Sequence, residues 1–143
     1  MSHIFNADNI LLNQRFIKRD EVIDAVGKFL VSQGYVTDKY IKAMHQREHA
    51  LTTYIGNHVA VPHGTKESSE YVLDTGICMF QIPDGVSFGE EMVYIVFGIA
   101  SKGGSHLDIL MCISDIVMEE GNVEKLRHAA TKEEVLELIG DIY

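Results

Sequence analysis

Met92-Val93-Tyr94-Ile95-Val96-Phe97-Gly98-Ile99-Ala100 is a nearly continuous apolar run with no polar alternation along it. A strand with one wet face alternates with period two, whereas a strand without alternation is covered on both faces. Helices on either side of a sheet supply that cover, so this run predicts a layered α/β domain. It is also far short of the roughly 20 residues needed to span a bilayer.

The flanking sequence extends the pattern. Val72 to Ile82, with Ile77, Met79, Phe80 and Ile82, reads as a second long strand, and Pro83-Asp84-Gly85 between the two carries a turn signature. Antiparallel pairing across that turn predicts a mixed sheet. Ile10-Leu11-Leu12 is a short first strand. Asp20 is expected to cap a helix with Val22, Val26, Phe29 and Leu30 at helical spacing, closed by Gly34. A second helix begins at Thr37, with Tyr40, Ile41 and Met44 on one face. Ser105 and Asp108 make a capping-box pattern for a third, whose stripe is Leu107, Leu110, Ile113 or Ser114, and Val117. A shorter helix covers Val123 to His128, and Thr131 with Glu134 starts a last one carrying Val135, Leu138, Ile139 and Ile142. The expected fold is therefore α/β, a single domain over residues 1–143 with a mixed β-sheet sandwiched between helix layers.

Composition narrows the function classes. A chain of 143 residues, 46% hydrophobic, can bury a sizeable core. Its formal charge of -9 argues against nucleic acid and against an anionic membrane surface, both of which select basic faces. Met1-Ser2-His3-Ile4-Phe5-Asn6 shows no basic region leading into an apolar signal core. Cys78 and Cys112 both sit inside apolar patterns with no adjacent Lys, Arg or His, and are expected to be reduced core thiols. A cytoplasmic protein is the expectation.

Among the seven histidines, His63 stands out. It ends the stretch Gly56-Asn57-His58-Val59-Ala60-Val61-Pro62-His63-Gly64, where an apolar strand runs into Pro62, which cannot donate to a ladder, and then Gly64. A histidine in a loop held by a rigid strand end can be a base, a metal ligand or a nucleophile. His45-Gln46-Arg47-Glu48-His49 matches a metallopeptidase pattern, H-x-x-E-H, with no third ligand identifiable. At about 100° per residue, however, His45 and His49 point opposite to Arg47, so a helix aiming Arg47 into a site turns both histidines away. His106 follows Gly103-Gly104-Ser105 at a helix start, where backbone N–H groups favour an anion. If the strand ending near Ala100 neighbours the one ending at Val61, His63 and His106 converge; otherwise they are two unrelated surface residues.

These residues resemble a known family across essentially the whole chain. Arg47-Glu48, Thr53-Tyr54-Ile55-Gly56-Asn57 and Val59-Ala60-Val61-Pro62-His63-Gly64-Thr65 are similar to the IIA component of the mannitol/fructose class of the sugar phosphotransferase system. The likeness continues through Gln81-Ile82-Pro83-Asp84-Gly85-Val86-Ser87-Phe88-Gly89-Glu90-Glu91, Gly98-Ile99-Ala100, His106-Leu107-Asp108-Ile109-Leu110 and Glu133-Glu134-Val135-Leu136-Glu137-Leu138. The Phe88-Gly89-Glu90-Glu91 segment looks like the mannitol branch more than the fructose or nitrogen-regulatory branches.

The resemblance implies a phosphorelay within a mixed sheet between helix layers. The histidine matching His63 takes a phosphoryl group from phospho-HPr on Nε2 and passes it to a cysteine of a IIB domain. The residues matching His106 and Arg47 line the same site and stabilise phosphoryl charge, and neither a cofactor nor a metal is required. This implies a cytoplasmic phosphotransferase component, a free-standing carrier without the cysteine loop of IIB or the membrane segments of IIC. Two other readings stand beside it: a regulatory module of the same fold, and a metal-dependent hydrolase using His45, Glu48 and His49. The family often has Thr-Pro-Thr where this chain has Leu51-Thr52-Thr53, and a small or acidic residue at the place of His58. With 21 acidic against 12 basic residues, the His63 surface is expected to be an apolar patch rimmed by carboxylates, docking a partner with basic residues.

Overall fold

The computed structural model describes residues 4–103 and 106–140, with the side chain of His106 outside that description. In chain order the regular elements are β1 (Ile10–Leu11), α1 (Arg19–Ser32), α2 (Lys39–Ala50), β2 (Tyr54–Gly56), β3 (Val59–Ala60), β4 (Gly76–Phe88), β5 (Glu91–Ala100), α3 (His106–Met118), α4 (Asn122–His128) and α5 (Lys132–Ile139). Short 3-10 helices occupy Ala7–Asn9 and Lys66–Tyr71. The strands form one sheet in the order β1-β4-β5-β3-β2. β1 is parallel to β4 and β3 to β5, while β4–β5 and β2–β3 are antiparallel, so the sheet is mixed as the sequence predicts.

The apolar run from Met92 does have two covered faces. Ile95, Phe97 and Ile99 join the core under α3, α4 and α5 through Ile109, Ile113, Val117, Leu126, Val135 and Ile139. Val96 and Ala100 join the other core, with Val22, Val26 and Leu30 of α1 and Tyr40 and Met44 of α2. Gly98 lets α1 lie close on the sheet. A Cβ there would stand 2.2 Å from Val26 Cγ1 and 2.8 Å from Cys78 Sγ.

Several expectations are corrected. Pro83-Asp84-Gly85 is not the turn: β4 runs through it to Phe88, and Gly89-Glu90 closes the hairpin with Phe88 opposite Glu91. Between the pairs Gln81–Ile95 and Val86–Val93 the β4 strand bulges, and Arg127 Nε donates to the Pro83 carbonyl at 3.0 Å. Turn-forming residues suit a wide bulge as well as a turn, and resumed pairing beyond them decides between the two. The strand also begins at Gly76 rather than Val72, which makes only an isolated bridge to Val36.

The first helix starts at Arg19 with Lys18 as its cap residue, and Glu21 Oε1 accepts the backbone N–H groups of Ile17 and Lys18. Asp20 thus lies in the first turn rather than capping it. The second helix starts at Lys39, two residues after the expected Thr37. In α3 the buried stripe is Ile109, Ile113 and Val117, at i, i+4 and i+8; Leu107 is 71% exposed and Leu110 half-buried. Cys78 is buried but Cys112 is exposed on α3. Ser105 and Ile142 lie outside the described residues. Among the described residues, no helix is long and apolar enough to cross a membrane.

Candidate active site

The pairing of β3 with β5 decides where His63 goes. Val59 lies opposite Ile95 and Ala60 opposite Val96 in parallel, and the Ile99 amide donates to the Pro62 carbonyl at 3.0 Å. The chain leaving β3 and the chain leaving β5 therefore emerge together at one end of the sheet. His63 sits on the first of these exits, and α3 begins at His106 after the second. The adjacency that the sequence left open is present for the backbone. The His106 side chain, a sequence-stated candidate, lies outside the described residues.

His63 is half-buried, and its Nδ1 lies 2.7 Å from the Val61 carbonyl oxygen. A carbonyl only accepts, so Nδ1 carries the proton and the neutral ring keeps its lone pair on Nε2. The turn after it is fixed by Tyr40. Its hydroxyl accepts the Gly64 amide at 2.7 Å and donates to the Ile99 carbonyl at 3.0 Å, tying the His63 loop to β5. Burial pushes the Tyr40 phenol up to about 12, so it remains protonated and donating. Gly64 has no room for a side chain: an added Cβ would stand 2.4 Å from Ser68 Oγ and 2.5 Å from Tyr40 Cε1.

Arg47 lies on α2 and shares two clefts with His63. The first, about 600 Å³, is lined by Tyr40, Gly64, Thr65, Lys66, Ser68, Ser69, Val72, Ser101 and Gly103 besides these two. Among the described residues, none that lines it is a carboxylate, in a chain whose formal charge is -9. Two cationic and five hydroxyl side chains suit this cleft to an anion. The second cleft, about 400 Å³, has apolar walls from Tyr54, Ile55, Val61, Leu107, Leu110 and Met111. Leu107 and Met111 are exposed, and so are Asp108 and Asp115 on the same helix, which gives an apolar patch with carboxylates beside it.

The segment that supports Arg47 is anchored by Glu48. This glutamate is 2% exposed, and its carboxylate accepts from the Thr53 amide at 3.0 Å and from the hydroxyls of Thr52 and Thr53 at 2.5 Å. Arg47 Nη1 donates to the Leu51 carbonyl. The buried carboxylate thus fixes the Leu51-Thr52-Thr53 loop without the proline of the family pattern. Its engagement there, with Arg19 at 4.0 Å, removes Glu48 as a partner of the histidines and contradicts the His45–Glu48–His49 hydrolase. His45 and His49 instead face Asp20 and Asp24 of α1, on the side of α2 away from Arg47. His58 stands at the β2–β3 turn, at the other end of β3 from His63, with its ring 5.1 Å from that of Tyr94.

Tyr40 escapes a reading based on reactive motifs, and Glu48 enters one only through H-x-x-E-H, because the work of both is to hold other residues. Tyr40 was nonetheless detectable: it precedes Arg47 by seven positions, two helical turns, and so shares its face. Glu48 follows Arg47 directly and points inward. A carboxylate on an apolar helix face needs partners, which the hydroxyls of Thr52 and Thr53 provide.

Comparison with known proteins matches this arrangement. Residues 3–142 match the family model described as phosphoenolpyruvate-dependent sugar phosphotransferase system, EIIA 2. The mannitol-specific phosphotransferase enzyme IIA component of Staphylococcus aureus (strain MRSA252) is 45% identical over 135 residues, covering 94% of each chain. That of Bacillus subtilis (strain 168) is 43% identical over 136 residues, covering 94% of this chain and 95% of the relative. The crystal structure of the Escherichia coli mannitol IIA superposes with a TM-score of 0.89 at 38% identity, covering 94% of this chain and 98% of that one. The same enzyme in complex with phosphorylated enzyme IIB gives a TM-score of 0.90 at 38% identity, covering 94% and 96%. The match of residues 3–142 to that family model, with relatives 45% and 43% identical over nearly the whole chain, shows that this chain belongs to the EIIA 2 family of the phosphoenolpyruvate-dependent sugar phosphotransferase system, as a phosphotransferase component.

Proposed function

We propose that residues 1–143 act as one phosphocarrier domain in which His63 takes a phosphoryl group from phospho-HPr and hands it to the cysteine of a IIB domain. The observation that carries this reading is the Nδ1 contact with the Val61 carbonyl beside a cleft lined by Arg47 and Lys66 and, among the described residues, by no carboxylate. With Nδ1 protonated, the Nε2 lone pair attacks phosphorus. An N–P bond forms as the donor's N–P bond breaks, and its electron pair returns to the donor imidazole. The thiolate of IIB then attacks in the same sense, forming S–P as N–P breaks. The Nδ1 proton stays in place throughout.

Phosphoryl transfer spreads charge over three equatorial oxygens, and positioned cations and donors stabilise it. Arg47 is permanently charged and can fork to two of these oxygens. We assign His106 a second donor role at the start of α3, where the helix dipole adds partial positive charge. No metal or cofactor takes part in the step. Leu107 and Met111, exposed beside the apolar cleft, suit a surface that partners cover and release. The mannitol specificity of the relatives' names supports mannitol as the sugar served, and a cytoplasmic location follows from the proposed donor and acceptor.

The test is a relay. Labelled phosphate is loaded from phospho-HPr and chased onto isolated IIB domains of several sugar systems. Loading followed by selective transfer to a mannitol IIB is expected. Loading with no transfer to any IIB domain would instead mark a regulatory module, and no loading would end the proposal.

A further inference from the structure

Away from the His63 clefts, the exposed seam between α1 and α2 gathers donor atoms that the phosphocarrier role does not use. His45 and His49 lie one turn apart on α2 with ring centroids 6.3 Å apart. His49 Nε2 is 3.2 Å from Asp20 Oδ1, and His45 Nδ1 is 3.9 Å from the same oxygen. Taking one ligand atom each, Asp20, His45 and His49 fall within 4.8 Å of one another. We propose that this seam is a divalent transition-metal site, for zinc, nickel or cobalt, with His45, His49 and Asp20 as ligands and water in the remaining position.

Donor chemistry, spacing and the Asp24 carboxylate behind His45 favour the site. Two imidazoles and one carboxylate suit borderline metals rather than calcium or magnesium, which take oxygen ligands. Ligands about 2.1 Å from a tetrahedral ion stand about 3.4 Å apart. The Asp20–His49 separation is already there, and rotation of these outward side chains by about 1 Å closes the rest. His45 Nε2 lies 2.7 Å from Asp24 Oδ1, so the ring can donate to one carboxylate while Nδ1 faces the ion. That carboxylate–histidine–metal arrangement is the usual outer-shell support of an imidazole ligand. Arg19, whose charge also reaches Asp20, lies with Nη1 4.0 Å from the buried Glu48 carboxylate. Because the ligands come from two helices, the ion would clamp α1 to α2.

The experiment uses the untagged full chain titrated with Zn²⁺ or Ni²⁺ by calorimetry. One equivalent is expected to bind saturably, and saturating zinc is expected to raise the melting temperature by about 3 °C. His45→Ala, His49→Ala and Asp20→Asn should each weaken binding at least tenfold and abolish the thermal shift, while His63→Ala and His58→Ala should leave both unchanged. The three seam side chains are exposed or half-buried, and circular dichroism of each variant confirms that it is folded. Substoichiometric Ni²⁺ should broaden amide resonances around residues 20, 24, 45 and 49 first. Absence of saturable binding, affinity retained in both histidine variants, or affinity lost in His63→Ala would each overturn the proposal.

Discussion

The proton on His63 Nδ1 determines which ring nitrogen can act. The Val61 carbonyl holds that proton, and the same contact orients the ring at the mouth of the cleft. In the proposed transfer, Arg47 is to supply charge that lysine can match and a planar fork that it cannot. Arg47→Ala is expected to slow phosphoryl loading by about 10²-fold, the usual scale for losing one preorganised donor, with His63 still the labelled residue. Arg47→Lys should recover part of that rate, and single-turnover kinetics measure both; wild-type rates in the alanine variant would remove Arg47 from the site. His106→Ala is expected to slow loading without relocating the label.

At the scale of elements, the site depends on how tightly the β3 exit is tied to β5. Tyr40 is the tie, so Tyr40→Phe leaves the Gly64 amide and the Ile99 carbonyl short of a partner and should cost about 2 kcal/mol in denaturant unfolding. Gly64→Ala should destabilise by a similar amount, because its Cβ would press on the Tyr40 ring and Ser68. Both variants are expected to load phosphate more slowly, and an unchanged midpoint in either would show that the loop does not depend on this packing. The layered fold was legible because Val96 and Phe97 are apolar on opposite faces. The β4 bulge was not, since Pro83-Asp84-Gly85 looks the same in a turn and only the long-range pairing of Val86 with Val93 distinguishes them. In α3, Leu107 and Ile109 are equally apolar. Their burial depends on which face the sheet covers, and an exposed leucine beside the site shifts the apparent stripe by two positions. His63 and Arg47 carry their chemistry in the sequence and share two clefts, whereas Tyr40 acts through Gly64 and Ile99, distant in sequence, and the role of Glu48 depends on its burial against the nearby Thr52 and Thr53.

Across the whole molecule, two buried acids govern behaviour at high pH. Burial pushes the Cys78 thiol from 9.0, and the Tyr40 phenol from 10.0, each up to about 12. Between about pH 9 and 12 the unfolded chain releases these protons while the folded chain keeps them, so folding stability falls as pH rises. Each group contributes a slope of up to about 1.4 kcal/mol per pH unit. Cys78→Ala should flatten the pH dependence of the unfolding free energy from pH 9 upward, and an unaltered profile would contradict the assignment. For the same reason a thiol reagent at pH 8 should modify Cys112 quickly and Cys78 only after unfolding. The net charge of -9 bears on encounter. Loading by HPr is expected to slow steeply between low and physiological salt, and a salt-independent rate would count against electrostatic docking.

In the proposed relay one nitrogen, His63 Nε2, carries the phosphoryl group between two protein partners. Incubation with labelled phospho-HPr, followed by site mapping in the wild type and in His63→Ala, tests it most directly. One labelled residue is expected, His63, with phosphorus on Nε2, and no label in the alanine variant. Normal phosphate incorporation into His63→Ala would contradict it.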